Sequence, residues 1–549
     1  MISVEGDTIQ VDFKAPFSLE DYQVFLKSKQ LPECNLSYAW ETDSYQLKTP
    51  SRFAHIFGLE DVYQERGWLP FNPNLFDYQE WIVRALSLPA KRFAVWCDTG
   101  LGKALMMLEL ARQVMHKTQG RVLLIVPLNL IQQTIDETIK FYGVTDLQNP
   151  YYFPPEYPEI TQLESQQALR TWCTGPGPGI AIINPEKFIP RKGEAETISE
   201  CQWLAGALLD EASLLKSGGG TIKWALIKSC RGIEYKYTFT ATPAPNETME
   251  YASQGSFLEK LRNEGEIIWT FFCRTKDGEW KVKDNAKSAF YRFLSGWSIY
   301  MRNPARYGFQ DHLKDLPDPV TTEYRLKITQ EQLDLIHRLP DASGQATLFG
   351  GWEKLEMVQR IKYSEMAKGF LYEGEAGPGR KIIPVASHKP QFCADLALKD
   401  MKDGLKVLIW TVFDEESRIL FDLLKDHGYL VEMITGSLPK KARLPIIERF
   451  RKGESDCLIT KAQLLGYGLN FQACGSNIIS GFNDSEEQRY QLERRSYRYG
   501  QTKAVKMHYP FIPELEGVVY DNINQKRRRT AEEVWTMEEN YIQALKGVS

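Results

Sequence analysis

No CxxC pair occurs in the 549 residues, and the nine cysteines are scattered singly. That pattern speaks against a disulfide framework and against a cysteine zinc site, and it fits a reducing cytosol. No apolar run approaches the ~20 residues that a membrane span needs, so no membrane partner is expected. The opening MISVEGDTIQ lacks the basic and apolar parts of a signal peptide. An excess of either charge is lacking too, with 67 Lys and Arg against 71 Asp and Glu. The net is only -4, so no global field draws in a polyanion, and a nucleic-acid site has to be a local basic groove.

What is present is the composition of a soluble globular protein, 43% hydrophobic and 25% charged. The length exceeds what one core can serve and implies three or four domains. Residues 1–70 read as a small N-terminal α+β unit. In it Ile2, Val4, Ile9, Val11 and Phe13 alternate about Gly6-Asp7 as in a hairpin, and Ser18 opens a short helix with Asp21 as its capping partner. From Phe71 to about 245, short apolar strands alternate with helices, the signature of a parallel sheet. Candidate strands are Phe93–Trp96, Val122–Val126, Ile180–Ile183, Ala207–Leu209 and Tyr237–Thr240. Residues 246–385 lose the rhythm and read as a helical insertion and linker. It returns over 386–515, with strands at Val407–Trp410, Val431–Ile434, Cys457–Ile459 and Ile478–Ser480, and 516–549 form a charged helical tail. The expected fold is α/β, with two parallel-sheet lobes.

Chemistry concentrates at a few strand ends. Cys97-Asp-Thr99-Gly100-Leu101-Gly102-Lys103-Ala104 follows an apolar strand and precedes a helix, the context of a phosphate loop. Gly100 and Gly102 let backbone N–H groups close around phosphate oxygens, the helix start adds its positive dipole end, and Lys103 would neutralise the β- and γ-phosphates. Ala104 departs from the pattern, because Ser or Thr normally ligates Mg²⁺ there. A Gly-rich turn without ligand is the alternative. Leu208-Leu209-Asp210-Glu211 ends a buried strand in two carboxylates, which need cations or a proton. Asp210 would hold Mg²⁺ through water, and Glu211 would orient the attacking water. A helix N-terminus with favourable acids is the bland alternative. Thr240-Ala-Thr242-Pro243 closes another strand, where its hydroxyls could couple the acidic pair to the second lobe. Farther on, Arg495 and Arg498 are three apart and share a helical face, which invites an anion such as the γ-phosphate of ATP. A solvated basic face is the other reading. Gly466–Asn470 and Thr435-Gly436 are strand-end loops able to lay amides on a nucleic-acid backbone.

The ordered set resembles the superfamily 2 helicase core of the SWI/SNF-like branch. In that resemblance Leu75-Phe-Asp-Tyr-Gln79 is the adenine-side element, with Gln79 on the base edge. Residues 97–104 are motif I, 124–130 motif Ia, and Ile183-Asn184-Pro-Glu-Lys187 motif Ib. Asp210-Glu211-Ala-Ser213 is motif II, Thr240-Ala-Thr242 motif III and Gly466–Asn470 motif V. Gln491, Arg495, Arg498 and Gly500-Gln501 have the spacing of motif VI. The resemblance covers about 71–515 and implies two RecA-like lobes that use ATP and Mg²⁺. It also implies nucleic-acid contacts through Asn184, Lys187, Gly436, Gly466 and Asn470. Thr240–Asn246, Phe271-Phe272 and Trp297–Arg302 look like the compact members of phage and prophage genomes. The N-terminal unit loosely resembles small modules that precede fork-remodelling motors.

The expectation is therefore an ATP-dependent DNA translocase, working as a monomer on duplex or forked DNA without sequence preference. Its setting would be the cytoplasm of a bacterium or phage-infected host, in replication, recombination or repair. A strand-separating DNA or RNA helicase is an alternative. A nucleotide-gated DNA clamp that hydrolyses weakly, because Ala104 lacks the metal ligand, is another. Ala104→Thr is expected to leave the fold intact and to raise turnover or Mg²⁺ affinity. Lower activity in steady-state assays would show a different metal geometry in this loop.

Overall fold

The computed structural model describes the chain except residues 1, 6–7, 15–17, 30, 32–33, 51–52, 54–56, 58–66, 143–159, 176, 191–197, 217–219, 245–249, 276–279, 311–316, 339–350, 375–379, 466–470, 482–485, 498–500, 502 and 547–549. The expected motif V loop, with Gly466 and Asn470, lies outside the described residues, as do Arg498 and Gly500 of motif VI. The chain divides into two compact units, one of Met1–Gln310 with Thr536–Ser549, the other of Asp311–Trp535.

The first unit begins with a four-stranded antiparallel sheet. It is built from β1 (Ile2–Glu5), β2 (Thr8–Lys14), β3 (Asn35–Ala39) and β4 (Ser44–Pro50), in the order β1-β2-β4-β3. The period-2 pattern puts Ile9, Val11, Phe13 and Leu47 into one core with Phe25 of the helix Leu19–Ser28. The Asp21 N–H donates to Ser18 Oγ (3.0 Å), which starts that helix.

The larger sheet of this unit has seven strands among the described residues. They are β5 (Arg92–Cys97), β6 (Arg121–Ile125), β7 (Thr161–Leu163), β8 (Gly179–Ile183), β9 (Gly206–Leu209), β10 (Tyr235–Thr240) and β13 (Ser298–Met301), in the order β13-β5-β10-β9-β6-β8-β7. Every pairing is parallel. Helices cover such a sheet on both faces, so its strands read as continuous apolar runs. A short antiparallel hairpin, β11 (Phe272–Arg274) with β12 (Trp280–Val282), precedes β13. The segment 246–385 is thus shared. Its first part supplies this hairpin and an edge strand to the first sheet, and its later part belongs to the second unit. Aromatic residues hide this arrangement in the sequence, because Trp297, Tyr300 and Phe290 are buried here without a clear period.

A buried polar hub fixes the helix Lys103–Thr118. Glu109 and Arg112 pair at 2.7 Å within its core-facing side. The Tyr142 hydroxyl donates to Glu109 Oε2 (2.6 Å), and Gln113 Nε2 donates to Glu109 Oε1 (2.7 Å). Gln113 also exchanges two hydrogen bonds with the backbone of Leu69, at 2.8 and 3.0 Å. The hub therefore anchors the lead-in segment 69–72 on the helix that follows the phosphate loop.

Among the described residues the second unit holds a six-stranded sheet in which every pairing is parallel. Its strands are β14 (Val320–Arg325), β17 (Lys406–Thr411), β18 (Val431–Ile434), β19 (Cys457–Lys461), β20 (Cys474–Ile479) and β21 (Lys506–Phe511), in the order β14-β21-β20-β17-β19-β18. Between β14 and β17 lies a separate hairpin, β15 (Phe370–Glu373) with β16 (Lys381–Pro384). The last helix, Pro513–Lys546, gives residues up to Trp535 to this unit and the remainder to the first.

Asp400 closes the base of the second sheet. It accepts hydrogen bonds from Ser476 Oγ (2.7 Å) and Lys506 Nζ (2.6 Å) and pairs with His508 Nε2 (2.9 Å). The other ring nitrogen of His508 meets the Tyr324 hydroxyl at 3.0 Å, which ties edge strand β14 to the same group. Burial alone would raise the Asp400 pKa. The hydrogen bonds from His508, Lys506 and Ser476 outweigh it and hold the carboxyl well below the usual carboxylate range. A depressed carboxyl contributes stability above its unfolded pKa and loses it as pH falls through the folded value. Asp400→Asn is expected to cost about 3 kcal/mol at neutral pH and to flatten the acid limb of the stability curve below about pH 4. Urea unfolding across that range checks this, and an acid limb equal to wild type would refute it.

Candidate nucleotide site

Three neighbouring strands place three motifs on one edge. In the order β5-β10-β9, parallel pairing brings all their C-terminal ends together. After β5 comes the phosphate loop, after β10 Thr240-Ala-Thr242, and after β9 Asp210-Glu211. Ligands of open parallel sheets sit at this edge. β6 and β8 add Val126 and Asn184 beside them, and the Val126 N–H continues the ladder to the Ile183 carbonyl (2.9 Å).

The loop is closed by its own backbone. Gly100 has φ +90° and Gly102 φ +68°, conformations that L side chains rarely adopt. Asp98 Oδ1 accepts the Thr99 N–H at 2.6 Å, and the Asp98 N–H bonds the Met301 carbonyl of β13 (2.9 Å). Lys103 Nζ donates to the carbonyls of Cys97 (2.9 Å) and Asp98 (3.2 Å), so its ammonium lies inside the curve of the loop. Leu101 is buried and Ala104 half-buried. Gln79, 2% exposed, accepts the Phe76 N–H at 2.9 Å and donates to the Leu101 carbonyl at 2.9 Å. In this structure Gln79 ties the start of its own helix, through Oε1, to the loop, through Nε2. A Cβ on Gly102 would fall 2.2 Å from Gln79 Nε2.

Asp210 extends the ladder, its N–H bonding the Ile125 carbonyl (2.9 Å), and its Oδ1 accepts the Glu211 N–H (3.0 Å). Burial pushes the Asp210 carboxyl up to about 6, against the Lys103 ammonium and the Glu211 N–H, which pull it down. A buried carboxyl so poised fits a nearby cation. Glu211 has φ +50°, a strained conformation for a non-glycine residue, and strain of this kind concentrates at functional sites. Among the described residues no cluster of three or more His, Cys, Asp or Glu side chains could hold a metal alone. The Asp210 carboxylate is an oxygen donor of the kind a hard cation such as Mg²⁺ takes.

Thr240 is buried, and its Oγ1 accepts the Thr242 N–H (3.1 Å). Sequence reasoning missed Gln254, which links these strands. Its Oε1 accepts from Trp96 Nε1 of β5 (2.9 Å) and from Thr238 Oγ1 of β10 (3.2 Å), while its Nε2 donates to the Pro243 carbonyl (3.0 Å). Nothing local in the sequence marks it, because its partners are 11 to 158 residues away. Asn184 is buried and bonds the Glu186 carboxylate through its side chain, and Lys187 is half-buried on the turn Pro185–Phe188.

In the second unit Gln491 and Arg495 are buried on the helix Glu486–Ser496, and the Arg495 carbonyl accepts the Phe471 N–H (2.9 Å). Gln501 Nε2 donates to the carbonyls of Gln472 (3.0 Å) and Cys474 (3.2 Å). Gly436 is exposed. Its N–H meets Asp414 Oδ1 at 3.1 Å, and Lys461 at the end of β19 pairs with the same carboxylate at 2.7 Å. Arg302 bonds the Tyr300 hydroxyl (3.1 Å), and its N–H bonds Glu538 (2.7 Å). Arg527 of the basic run 526–529 pairs with Glu493.

A family model for the res subunit of type III restriction enzymes matches residues 72–167, in the first unit. A model for the helicase conserved C-terminal domain matches 388–500, in the second. Chromodomain-helicase-DNA-binding protein 9 of Homo sapiens is 30% identical over 363 residues, 60% of this chain and 12% of that protein. Chromodomain-helicase-DNA-binding protein 8 of Rattus norvegicus is 36% identical over 455 residues, 75% of this chain and 16% of that protein. The chain thus spans about a sixth or less of the length of these curated relatives. A solved SWI2/SNF2 ATPase core of Sulfolobus solfataricus in complex with dsDNA is 19% identical and covers 87% of this chain and 97% of its own, at a TM-score of 0.37.

Gly102→Ala tests the loop. The left-handed backbone costs an alanine about 1–2 kcal/mol, and the clash with Gln79 adds to it. Nucleotide affinity, titrated with a fluorescent ATP analogue, is expected to fall at least about tenfold while circular dichroism stays native. Unchanged affinity would show that this loop does not cradle phosphate.

Proposed function

We propose that this chain, which belongs to the SWI/SNF-like branch of the superfamily 2 helicases and translocases, hydrolyses ATP to move along duplex DNA. The observation that carries the reading is the shared edge of β5, β10 and β9, where Lys103, the Asp210-Glu211 pair and Thr240-Ala-Thr242 end neighbouring strands.

The residues divide the work by their chemistry. Amides of Thr99–Lys103 and the Lys103 ammonium take the phosphates of ATP. Asp210 would hold Mg²⁺, which when bound would supply positive charge to the phosphate oxygens. Glu211, next along the chain, orients the attacking water as its base. Arg495 and Arg498 supply the charge that stabilises the transferring phosphoryl group. Thr240 and Thr242, braced through Pro243 by Gln254, report the state of the site to the rest of the motor.

Asn184, Lys187, Gly436, Gly466 and Asn470 offer short polar contacts and amides, which suit a phosphate backbone rather than base edges. The chromodomain relatives, helicase and DNA-binding proteins by name, support DNA as the track. Work on phage-type replication, recombination or repair intermediates, by a monomer on the DNA, completes the reading. Ala104 favours a second one, a nucleotide-gated clamp with weak hydrolysis, because the position offers no hydroxyl to the metal.

Stimulation of wild-type turnover by nucleic acid separates the two, and Glu211→Gln tests the base. In the motor, turnover falls by about 10² or more while ATP stays bound, since Asp210 remains. Turnover should be measured with blunt duplex, single-stranded, forked and RNA ligands. Stimulation by duplex DNA without strand separation supports the translocase. Near-wild-type turnover in Glu211→Gln rejects Glu211 as the base. Wild-type turnover that no nucleic acid stimulates supports the clamp.

A further inference from the structure

The segment between Thr242 and β13 carries a feature that none of the motifs uses. The helix Glu264–Phe271 starts at Asn263, whose Oδ1 accepts the Glu266 N–H (3.2 Å). Ile267 of this helix is buried, and Phe271 packs on the rings of Phe290 (5.5 Å) and Phe293 (5.7 Å). Trp269 points the other way and is 76% exposed. Leaving so large an indole in water forfeits the stabilisation its burial would bring.

The exposure does not come from a loose attachment. Lys283 Nζ donates to the carbonyls of Trp269 and Thr270, both at 3.1 Å, and the Lys283 N–H bonds the Phe271 carbonyl (2.9 Å). The hairpin β11–β12 pairs Phe272 with Val282, Cys273 with Lys281 and Arg274 with Trp280. Phe272 and Val282 are buried, which turns Arg274 and Trp280, two residues on, to that same face. Trp280 stands edge-on to Trp269, with centroids 6.1 Å apart and planes at 88°. The Arg274 guanidinium lies 5.9 Å from the Trp280 ring centre. Two indoles and a cation thus meet at a corner held from behind by backbone hydrogen bonds.

The surroundings decide what such a corner recognises. Beside Trp269 in the chain are Glu266, which accepts the Arg262 N–H (2.9 Å), and the exposed Thr270; across the hairpin is Arg274. This is no continuous aliphatic patch of the kind that seats an apolar protein surface. Over residues 262–287, the Trp269 helix included, six basic side chains stand against five acidic ones, so the cation at the corner is Arg274 itself rather than a basic field. An indole face beside a guanidinium matches a stacked base followed by its phosphate. Bases within a duplex are covered by their neighbours, so the ligand is an unpaired nucleotide.

We infer that the Trp269–Trp280–Arg274 corner is a second nucleic-acid site, which stacks an unpaired base of single-stranded DNA on Trp269 and takes the adjoining phosphate on Arg274. This extends the DNA-motor reading, because it gives the motor a contact with the unpaired arm of a fork. It can be tested without nucleotide and so apart from that reading.

The test is fluorescence anisotropy of the full chain with labelled oligothymidylate, a forked duplex and a blunt duplex, in wild type, Trp269→Ala, Trp269→Phe and Arg274→Gln. Trp269→Ala is expected to weaken oligothymidylate and fork binding about tenfold. Trp269→Phe should retain most of the affinity, and Arg274→Gln should lower the slope of log affinity against log salt by about one unit. Blunt-duplex affinity should change less than about twofold in all three, since no unpaired base is offered. Equal oligothymidylate affinity in wild type and Trp269→Ala would overturn the inference and leave the corner to a protein partner. An equal loss on blunt duplex would overturn it too, by showing that the change is not specific to unpaired bases. If instead wild-type turnover ignores every DNA while oligothymidylate binding still depends on Trp269, the motor reading fails and the site stands.

Discussion

The parallel pairing of β5, β10 and β9 is the constraint on which the first unit depends. Parallel strands all end on one edge, so the three loops that follow them meet without any contact between the motifs being required in the sequence. The arrangement demands helices on both faces, and the helix Lys103–Thr118 supplies one while presenting its N-terminus to the loop. β13 pairs with β5 on the outer side, and its Met301 carbonyl fixes the Asp98 N–H at the start of the loop. Gln254 then joins Trp96 of β5 to Thr238 of β10, so the strand under the phosphate loop and the strand under Thr240 share one polar side chain.

Buried charge is handled differently in the two units. In the first, Glu109 is fully satisfied by Arg112, Gln113 and Tyr142, and its cost is offset by holding segment 69–72 and, through it, the region of Gln79. Asp210, by contrast, is kept near neutral pH by burial opposed by Lys103, which leaves its charge responsive to a bound cation. In the second unit Glu516 is shared by Lys368 (2.8 Å) and Lys389 (2.6 Å) at the start of the last helix. That cluster pins the helix where it leaves the sheet, as Asp400 pins β20 and β21 at the opposite end of the strands.

The Trp269 corner follows another logic. Its rigidity comes from main-chain acceptors of Lys283 and from the hairpin ladder, while the Trp269 ring stays exposed beside the edge of Trp280. Side chains preorganised at a cost to stability are those a ligand uses, because the ordering entropy has been lost before binding.

Much of this protein was legible in the residues alone. The apolar runs that became β5, β6, β8, β9, β10, β17, β19 and β20 stand out because strands buried on both faces have no alternation to obscure them, and the half-buried edge strand β18 follows the same rhythm. Gly100, Gly102 and Lys103, like Asp210 and Glu211, are contiguous, so their chemistry is carried by nearest neighbours in the chain. The edge strands β13 and β14, the hub at Glu109, the bridge at Gln254 and the corner at Trp269 were not legible. Each joins groups that lie far apart in sequence or differ only in burial: Trp96 reaches Gln254 across 158 residues, and Tyr324 reaches His508 across 184. The sequence determined the local backbone conformations and the reactive groups at each strand end. Only the tertiary structure decided which ends are neighbours and which indole stays in water, because these depend on sheet order and packing between distant segments.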